Sequence, residues 1–267
     1  ATTNVTEMFN IITTTTYPGP LPVNAPGTPT QDYFTGRFIA TDDNFYKAIS
    51  AYYGETTEFT QAELIQIGSW HTDVNNNLTS DGWGFGERLF GSISYWDVSR
   101  VTNMSLAFKN RKLSFGLGLW DVSNVTNMKG MFYNMDTKDI WGLAGRNVND
   151  AHSNALSLRH FIDKWDVSNV TDMSYMFAGS PYEGYFGKEW NVSKVTTMSH
   201  MFDGTNQLQV GPGTFNAIEN WDVSNVTDMS YMFKDTLYFT GGGGLDWNVS
   251  KVTNMSHMFY NCFNGEF

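Results

Sequence analysis

The stretch that decides the fold runs from Trp165 to Phe177 and reads WDVSNVTDMSYMF. The same residues return, letter for letter, from Trp221 to Phe233. Four further stretches share the pattern and its length, without insertion or deletion: Trp96 to Phe108, Trp120 to Phe132, Trp190 to Phe202 and Trp247 to Phe259. Six copies of one pattern identify the later part of the chain as a repeat array.

Each copy combines two apolar periodicities. With its Trp numbered as repeat position 1, Trp and Val at positions 1 and 3 alternate with polar residues, which predicts a short strand. Apolar residues then fall at positions 6, 9, 12 and 13, and this spacing predicts a short helix. Thr at position 7 is the expected helix cap, with an Asn or Asp favoured in the first turn.

One strand and one helical turn per repeat predict an α/β repeat fold, a leucine-rich-repeat-like solenoid. The Trp residues are 24, 45, 25, 31 and 26 residues apart, so insertions are expected near 136–160 and 206–214. Because one unit cannot bury its own large side chains, successive coils should stack at about 4.8 Å. The predicted core consists of Trp96, Trp120, Trp165, Trp190, Trp221, Trp247, Met104, Met128, Met173, Met198, Met229, Met255, Phe108, Phe132, Phe177, Phe202, Phe233 and Phe259.

The later copies alternate between two types. The third and fifth are identical, and the fourth and sixth differ at one residue. Tyr175 and Tyr231 therefore share repeat position 11 with His200 and His257. Duplication of a two-coil unit explains this alternation without any functional role.

The pattern W-D-x-S-x-V-T-x-M-x-x-M-F resembles the repeat of BspA-like leucine-rich-repeat surface proteins, from Trp96 to the end of the chain. Two upstream segments extend the resemblance: 41–49, TDDNFYKAI, looks like the family's short helix, and 91–97, GSISYWD, looks like its approach to the first copy. The resemblance implies a secreted or cell-surface protein that acts in adhesion or protein interaction. The family motif contains no catalytic residues.

The first 95 residues should form two further regions. Residues 1–40 are rich in Thr and Pro and predict an extended arm. Residues 41–95 predict a helical N-terminal cap that covers the first coil, with helices at 42–53 and 60–67. Thr41 and Thr60 are the expected capping residues of these helices.

The arm carries half of the repeat motif. Asn4 to Met8 reads NVTEM, which matches the middle of the repeat. One hypothesis is that residues 1–12 of one subunit dock on the last coil of the next, in head-to-tail association. The alternative is that Ala1 and Phe267 are truncation points in a longer array. The predicted subunit contacts are Asn4, Val5, Thr6, Met8, Ile11 and Ile12.

Composition excludes several classes of protein. The net charge of −11 would repel phosphate backbones, which argues against a nucleic-acid partner and against docking on anionic membranes. No apolar run approaches the roughly 18 residues needed to span a bilayer, so no membrane insertion is expected. Cys262 is the only cysteine, so an internal disulfide is impossible and stability must come from buried aromatic and Met side chains.

The recurrent acids are the first candidate site. Asp97, Asp121, Asp166 and Asp222 share repeat position 2, where two copies carry Asn. Such a column suits calcium, or a ladder that satisfies turn backbone groups, and the Asn residues favour the ladder. Adjacent carboxylates could also serve glycoside hydrolysis, although no pair stands out from the others.

Other motifs give little support for chemistry. The five histidines form no zinc-binding pair and no G-x-S-x-G motif is present, so we expect no cofactor, metal or catalytic residue. Sequons are frequent because the repeat contains them, and Asn77, in the polar run DVNNNLTSDG, is the best candidate for a glycan.

Taken together, these patterns predict a secreted or surface-exposed, non-catalytic protein. It would bind a protein partner, or possible surface glycans, through its stacked surface. One alternative is a structural subunit of an extracellular filament or a viral shell, located on a virion surface in the latter case. A second alternative is a carbohydrate-active enzyme built on the repeat scaffold.

Overall fold

The computed structural model describes residues 38–55, 90–91, 93–112, 116–135, 162–180, 187, 189–205, 218, 220–236 and 246–262. The chain divides into two compact units, Ala1–Gly36 and Arg37–Phe267. The predicted Thr/Pro arm, the predicted helix at 60–67 and both predicted insertions lie outside the described residues.

The elements that open the second unit are strand β1 (Ile39–Thr41), helix α1 (Phe45–Tyr52) and strand β2 (Asp97–Arg100). Short 3-10 turns at Ile93–Tyr95 and Ile162–Lys164 precede the first and third copies. β1 and β2 pair in parallel, with Ile39 opposite Asp97. β2 is the strand expected at the start of a copy.

Helix α1 begins later than the sequence predicted. Apolar side chains at Phe45, Ala48 and Ile49 are buried, and this spacing keeps one face of the helix on the core. Thr41 is not its cap, because it ends β1 and Asn44 occupies the capping position. The Asn44 side chain instead turns back, accepting from the Thr41 N–H at 2.8 Å.

The prediction of a short helix, made from the apolar residues at repeat positions 6, 9, 12 and 13, is wrong. A run of tight turns replaces it: in the third copy the N–H groups of Met176, Ala178 and Ser180 each donate to the carbonyl three residues earlier. An α-helix would need bonds to the fourth residue back. Positions 11 and 15 are left-handed in every copy, at Leu106, Asn110, Gly130, Asn134, Tyr175, Gly179, His200, Gly204, Tyr231, Asp235, His257 and Asn261.

The turns leave alternate N–H groups free to bind the next copy. Met173, Tyr175, Phe177 and Gly179 donate to carbonyls of the fourth copy at 2.7 to 3.1 Å. Isolated parallel bridges at repeat position 8 join each copy to the next, from Asn103 through to Asn254. The copies are therefore joined edge to edge through a ladder that runs along the turns.

An indole hydrogen bond fixes where each copy starts. From the second copy onward, the Trp Nε1–H donates to the carbonyl of the residue three before the preceding Trp, at 2.8 to 3.2 Å. These acceptors are Ile93, Leu117, Ile162, Gly187 and Ile218. The bond is the same whether the two Trp residues are 24 or 45 residues apart.

The core is a column of side chains from successive copies. The Phe rings at repeat position 13 stack with centroids 5.5 to 5.9 Å apart and interplanar angles of 16° or less. In the first five copies the predicted Trp, Met and Phe residues are at most 4% exposed. Their burial removes large apolar areas from water and stabilises the stack.

The sixth copy departs from this pattern. Met255 is 41% exposed and Phe259 is 50% exposed, so the prediction that they are buried is wrong. Phe259 stacks on Phe233 of the fifth copy, with ring centroids 5.7 Å apart. Trp247 is partly buried against the core.

The solenoid class itself stays a prediction. The elements described in full are one α-helix, two strands of three and four residues, and two 3-10 turns. The described parts of the later copies carry bridges and turns where the sequence predicted strands and helices.

Candidate interaction surface

A row of aromatic rings at repeat position 11 follows the stack on its solvent side. Tyr175, His200, Tyr231 and His257 lie face to face, with centroids 4.4, 4.5 and 4.8 Å apart and planes within 8°. We call these four rings the aromatic row. Tyr133 meets Tyr175 edge-on at one end, with centroids 6.1 Å apart. The rings cover one another's faces, so their polar edges are left to face solvent.

The backbone beneath the aromatic row is strained. Its four residues have φ between 55° and 59°, a conformation that costs an L-residue with a side chain about 1–2 kcal/mol. The second copy has Gly130 at this position, where a Cβ would approach Leu106 Cδ2 to 2.6 Å. Ring stacking, at about 0.5–1.5 kcal/mol per pair, offsets part of the strain in the other copies.

The exposed groups of the row are hydrogen-bonding groups. His257 is exposed, and the other three rings are partly exposed. Burial, followed by the negative charge of Asp203, raises the pKa of the Tyr175 phenol, which therefore keeps its proton at neutral pH. The row thus presents phenol O–H and imidazole nitrogen atoms at nearly regular intervals.

A charged network lies beside the row. His200 Nδ1 is 2.7 Å from one carboxylate oxygen of Asp203, and Lys234 Nζ is 3.3 Å from the other. Lys234 also donates to Asp235 at 2.6 Å. Hydrogen bonds from Lys234 and then Asn261 hold the pKa of Asp235 below its ordinary value. These contacts fix side chains on one flank of the row.

The recurrent acids at repeat position 2 serve their own turns. In every copy the side-chain oxygen at this position accepts the N–H of the Ser two residues later, at 3.0 to 3.2 Å. Hydrogen bonds from Ser168 and Ser224 hold the pKa values of Asp166 and Asp222 below the ordinary value. A general acid needs a raised pKa, so the shift runs against that role.

Because the side-chain oxygen atoms at repeat position 2 accept these turn hydrogen bonds, the column is poorly suited to bind calcium. Asn191 and Asn248 make the turn bond that Asp makes elsewhere. Among the described residues, no group of three or more His, Cys, Asp or Glu side chains lies close enough to hold a metal ion. The arrangement is that of a turn ladder, the interpretation that the Asn residues favoured.

The sequence analysis did not predict three further sets of recurring hydrogen bonds. Where repeat position 8 is Asn or Asp, its side-chain oxygen accepts the N–H two residues on and closes a tight turn. From the second copy onward, the Thr N–H at position 7 donates to the Thr carbonyl of the copy before, at 2.8 Å. At position 5, the amides of Asn124, Asn169 and Asn225 donate to a Ser carbonyl of the copy before. The signal that could have revealed them is the polar identity of these positions in copy after copy.

The outer side of the sixth copy forms a second surface. Val249, Met255, Phe259 and Tyr260 are 39 to 58% exposed, and we call them the open face. They form the largest group of exposed apolar side chains in one copy among the described residues. Clustered exposed apolar side chains make this side of the copy a candidate interaction surface.

Asn77 and the predicted subunit contacts at residues 4–12 lie outside the described residues, so their roles stay predictions. Among the residues that the structure describes, no helix has the length and apolar character needed to span a membrane.

Comparison with known proteins places the chain in a family. No curated protein and no solved structure matches it. A family model does match, over residues 47–154, 85–180 and 186–266, which together include all six copies and most of α1. The chain therefore belongs to the family described as "Mycoplasma protein of unknown function, DUF285".

Proposed function

We propose that the chain is a non-catalytic, extracellular or surface repeat protein of the BspA-like kind, which binds a protein partner in adhesion or protein interaction. The repeat family supports a repeat protein of this general type. The aromatic row carries the rest of the proposal, because its ring stacks order four partly or fully exposed side chains along one side of the described copies.

The chemistry of the row suits protein recognition. Tyr and His side chains are stiff, so a contact with them loses little conformational entropy. Stacking between His200 and Tyr231, 4.5 Å apart, restricts these rings further. A partner would find pre-organised hydrogen-bonding edges, flanked by the Asp203 and Lys234 charges.

The test removes the rings while keeping the backbone. Asn tolerates the left-handed region, so the double variant His200→Asn/Tyr231→Asn should fold normally. Tyr95→Asn is the control, because Tyr95 is 47% exposed and lies outside the row. Beads coated with each variant are mixed with cells of the organism that makes the protein, with or without prior trypsin treatment of those cells.

The proposal predicts that the double variant lowers bead adhesion at least tenfold while Tyr95→Asn leaves it unchanged. Trypsin treatment should abolish adhesion of the wild type. Unchanged adhesion of the double variant would overturn the role of the row. Adhesion that survives trypsin but disappears after periodate oxidation would assign binding to surface glycans and overturn the protein partner.

A second candidate function is favoured by the open face. A structural subunit of a head-to-tail filament or shell needs an apolar end surface that another subunit can cover. Met255 and Phe259 present such a surface. Location on a cell surface, in the secreted fraction or on a virion is part of both proposals.

A further inference from the structure

The described copies contain Asn-x-Ser and Asn-x-Thr sequons at three different repeat positions. Such a sequon is the acceptor for N-linked glycans, which are bulky and need an accessible Asn side chain. All of the sequons look alike in the sequence, whereas their contacts in the structure differ. They are Asn191 and Asn248 at position 2, Asn124, Asn169 and Asn225 at position 5, and Asn103 and Asn254 at position 8.

The amides at position 5 help to join the copies. Asn124, Asn169 and Asn225 each donate through Nδ2 to a Ser carbonyl of the copy before, at 2.7 to 2.8 Å. The Oδ1 atoms of Asn169 and Asn225 also accept hydrogen bonds from Lys194 and Lys251 of the following copy, at 2.7 and 2.6 Å. An N-linked sugar is attached to Nδ2, so a glycan at position 5 would compete with these contacts.

Position 8 lies where the backbones of neighbouring copies pair. Asn103 forms a parallel bridge with Asn127, and its carbonyl accepts the Tyr46 hydroxyl at 3.3 Å. Its side chain is half-buried. Asn254 forms the equivalent bridge with Asp228. A bulky sugar at this position would stand against the junction between two copies.

Asn191, at position 2 of the fourth copy, has different surroundings. It is exposed, although its copy is bridged to a neighbour on each side. Its Oδ1 accepts the Ser193 N–H at 3.1 Å, and its Nδ2 has no hydrogen-bond partner among the described residues. Asp166 makes the same turn bond at 3.0 Å, so the turn does not require an amide nitrogen. The Asn191 amide is therefore held by its oxygen, and its nitrogen is available.

The two types of copy separate the sequon from the ladder at position 5. The third and fifth copies have Asp at position 2 and Asn at position 5, whereas the fourth has Asn191 and Lys194. Lys194 donates to the Asn169 Oδ1, so the fourth copy still contributes to the ladder at position 5. Its own sequon lies instead at the exposed turn, where a sugar would not displace a hydrogen bond between copies.

We propose that Asn191 is a site of N-linked glycosylation. Within a transferase, Nδ2 would attack the anomeric carbon of a glycosyl diphosphate donor. The N–C bond forms as the bond from that carbon to the phosphate oxygen breaks, and the diphosphate leaves with the electron pair. A base of the transferase takes the proton that Nδ2 loses. The turn bond from Ser193 stays in place, because the sugar enters at the other end of the amide.

This inference goes beyond both proposed functions. It uses neither the aromatic row nor the open face, so its failure would leave both proposals standing. It also differs from the prediction made from the sequence, which favoured Asn77 from the polarity of its surroundings. For Asn191 the argument comes from exposure and hydrogen bonding.

The first experiment maps glycans on the protein purified from the organism that makes it. Trypsin should release residues 189–194 (EWNVSK), in which Asn191 is the one Asn, and residues 165–188, in which Asn169 is the one Asn. Mass spectrometry with fragmentation should locate a sugar on Asn191, with an occupancy at least tenfold higher than on Asn169. Unmodified Asn191, or equal occupancy of the two residues, would overturn the proposal.

A second experiment expresses matched variants in the same organism and measures their intact masses. Asn191→Asp keeps an oxygen for the turn, as in the third and fifth copies, and should lose the mass of one glycan. Ser193→Ala removes the sequon hydroxyl but keeps the carbonyl that Asn225 contacts, and should lose the same mass. Ser193→Thr restores a sequon and should retain the glycan. A glycan that persists on Asn191→Asp or Ser193→Ala, or is lost from Ser193→Thr, would overturn the assignment.

Discussion

At the scale of single residues, left-handed backbone separates this repeat from the helix that its sequence suggests. Tyr231 has φ 58°, and its N–H donates to the Ser256 carbonyl of the next copy at 3.0 Å. The Tyr231 N–H can make this hydrogen bond only within the turn, and the turn requires a positive φ at Tyr231. The aromatic side chain at this position is thus carried by a backbone that glycine would adopt freely.

Substitution of Tyr231 should therefore reverse the usual order of Ala and Gly. Tyr231→Gly and Tyr231→Ala both remove the ring, so the difference between them reports on the backbone alone. We expect the Gly variant to be more stable by about 1 kcal/mol, because Ala keeps the strain of its Cβ. Urea denaturation measures the free energy of unfolding of each.

Ser50 supplies the matched control. It lies inside α1, where Gly should be about 1 kcal/mol less stable than Ala. If Ala were the more stable residue at both positions, the left-handed turn at repeat position 11 would be contradicted.

A signal for these turns was present in the sequence. Repeat position 15 holds only Asn, Gly or Asp, at Asn110, Asn134, Gly179, Gly204, Asp235 and Asn261. These residue types favour left-handed backbone. Position 11 gave a mixed signal, because Gly130 favours left-handed backbone and Leu106, Tyr175 and Tyr231 do not, so its conformation could not be predicted from residue type.

At the scale of elements, β1 and α1 complete the first copy in place of a preceding repeat. Asp42 Oδ1 accepts the Thr102 N–H at 2.8 Å and the Asn103 N–H at 3.2 Å, while Oδ2 accepts the Thr102 hydroxyl. In later copies the corresponding Thr N–H donates to a backbone carbonyl. The Asp42 carboxylate thus replaces the carbonyl of a missing copy, and the Tyr46 hydroxyl adds a bond to the Ser105 carbonyl at 2.7 Å.

Asp42→Ala should destabilise the protein by about 1–2 kcal/mol at pH 7, since it leaves charge-assisted hydrogen bonds unmade at an exposed position. Asp43→Ala is the control, because Asp43 is an exposed neighbour outside these contacts. Burial raises the pKa of Asp42, and hydrogen bonds from Thr102 and Asn103 outweigh it, so the pKa lies below the ordinary 3.8.

The sign of the pH dependence follows. A depressed pKa means that the stabilisation is complete above 3.8 and is lost as the pH falls through the lower, folded-state value. The difference in urea midpoint between wild type and Asp42→Ala should be full at pH 6 and smaller at pH 2.5. A difference that grew on acidification would contradict the role of the ionised carboxylate.

The elements were only partly predictable. Alternation of Trp and Val with polar residues predicted the strand, and the first copy has it as β2. Spacings of three and four also arise where consecutive tight turns point Met198, Met201 and Phe202 inward. Over so few residues this periodicity does not distinguish a helical turn from a series of β-turns.

At the scale of the whole molecule, stability depends on how many neighbours a copy has. Phe177 is fully buried between Phe132 and Phe202, with centroids at 5.5 and 5.9 Å. Phe259 stacks on Phe233 at 5.7 Å and is half exposed. In a linear array each copy is stabilised mainly by contacts with the copies next to it.

The same substitution should therefore have unequal effects along the array. Phe177→Ala should lower the free energy of unfolding by about 3–5 kcal/mol, the range for a buried Phe. Phe259→Ala should cost under about 2 kcal/mol when measured at concentrations too low for subunit association. Equal losses in urea denaturation would contradict the difference in burial between Phe177 and Phe259.

The sequence was most informative at this largest scale. A constant length from Trp to Phe predicted that the copies meet in register, and position 8 bridges one copy to the next throughout. The greater exposure of Met255 and Phe259 could not be predicted, because the motif has Met and Phe at these positions in buried and exposed copies alike.

The indole hydrogen bond of each Trp has a consequence for engineering. The bond fixes the residue that lies three positions before the preceding Trp, which we call the anchor residue. The same bond forms although Trp120 follows Trp96 by 24 residues and Trp165 follows Trp120 by 45. The segments that connect successive copies can therefore vary in length without changing how each copy starts. Foreign epitopes or reporter peptides grafted after repeat position 15 of one copy and before the next anchor residue should therefore be displayed without disturbing the hydrogen bonds between copies.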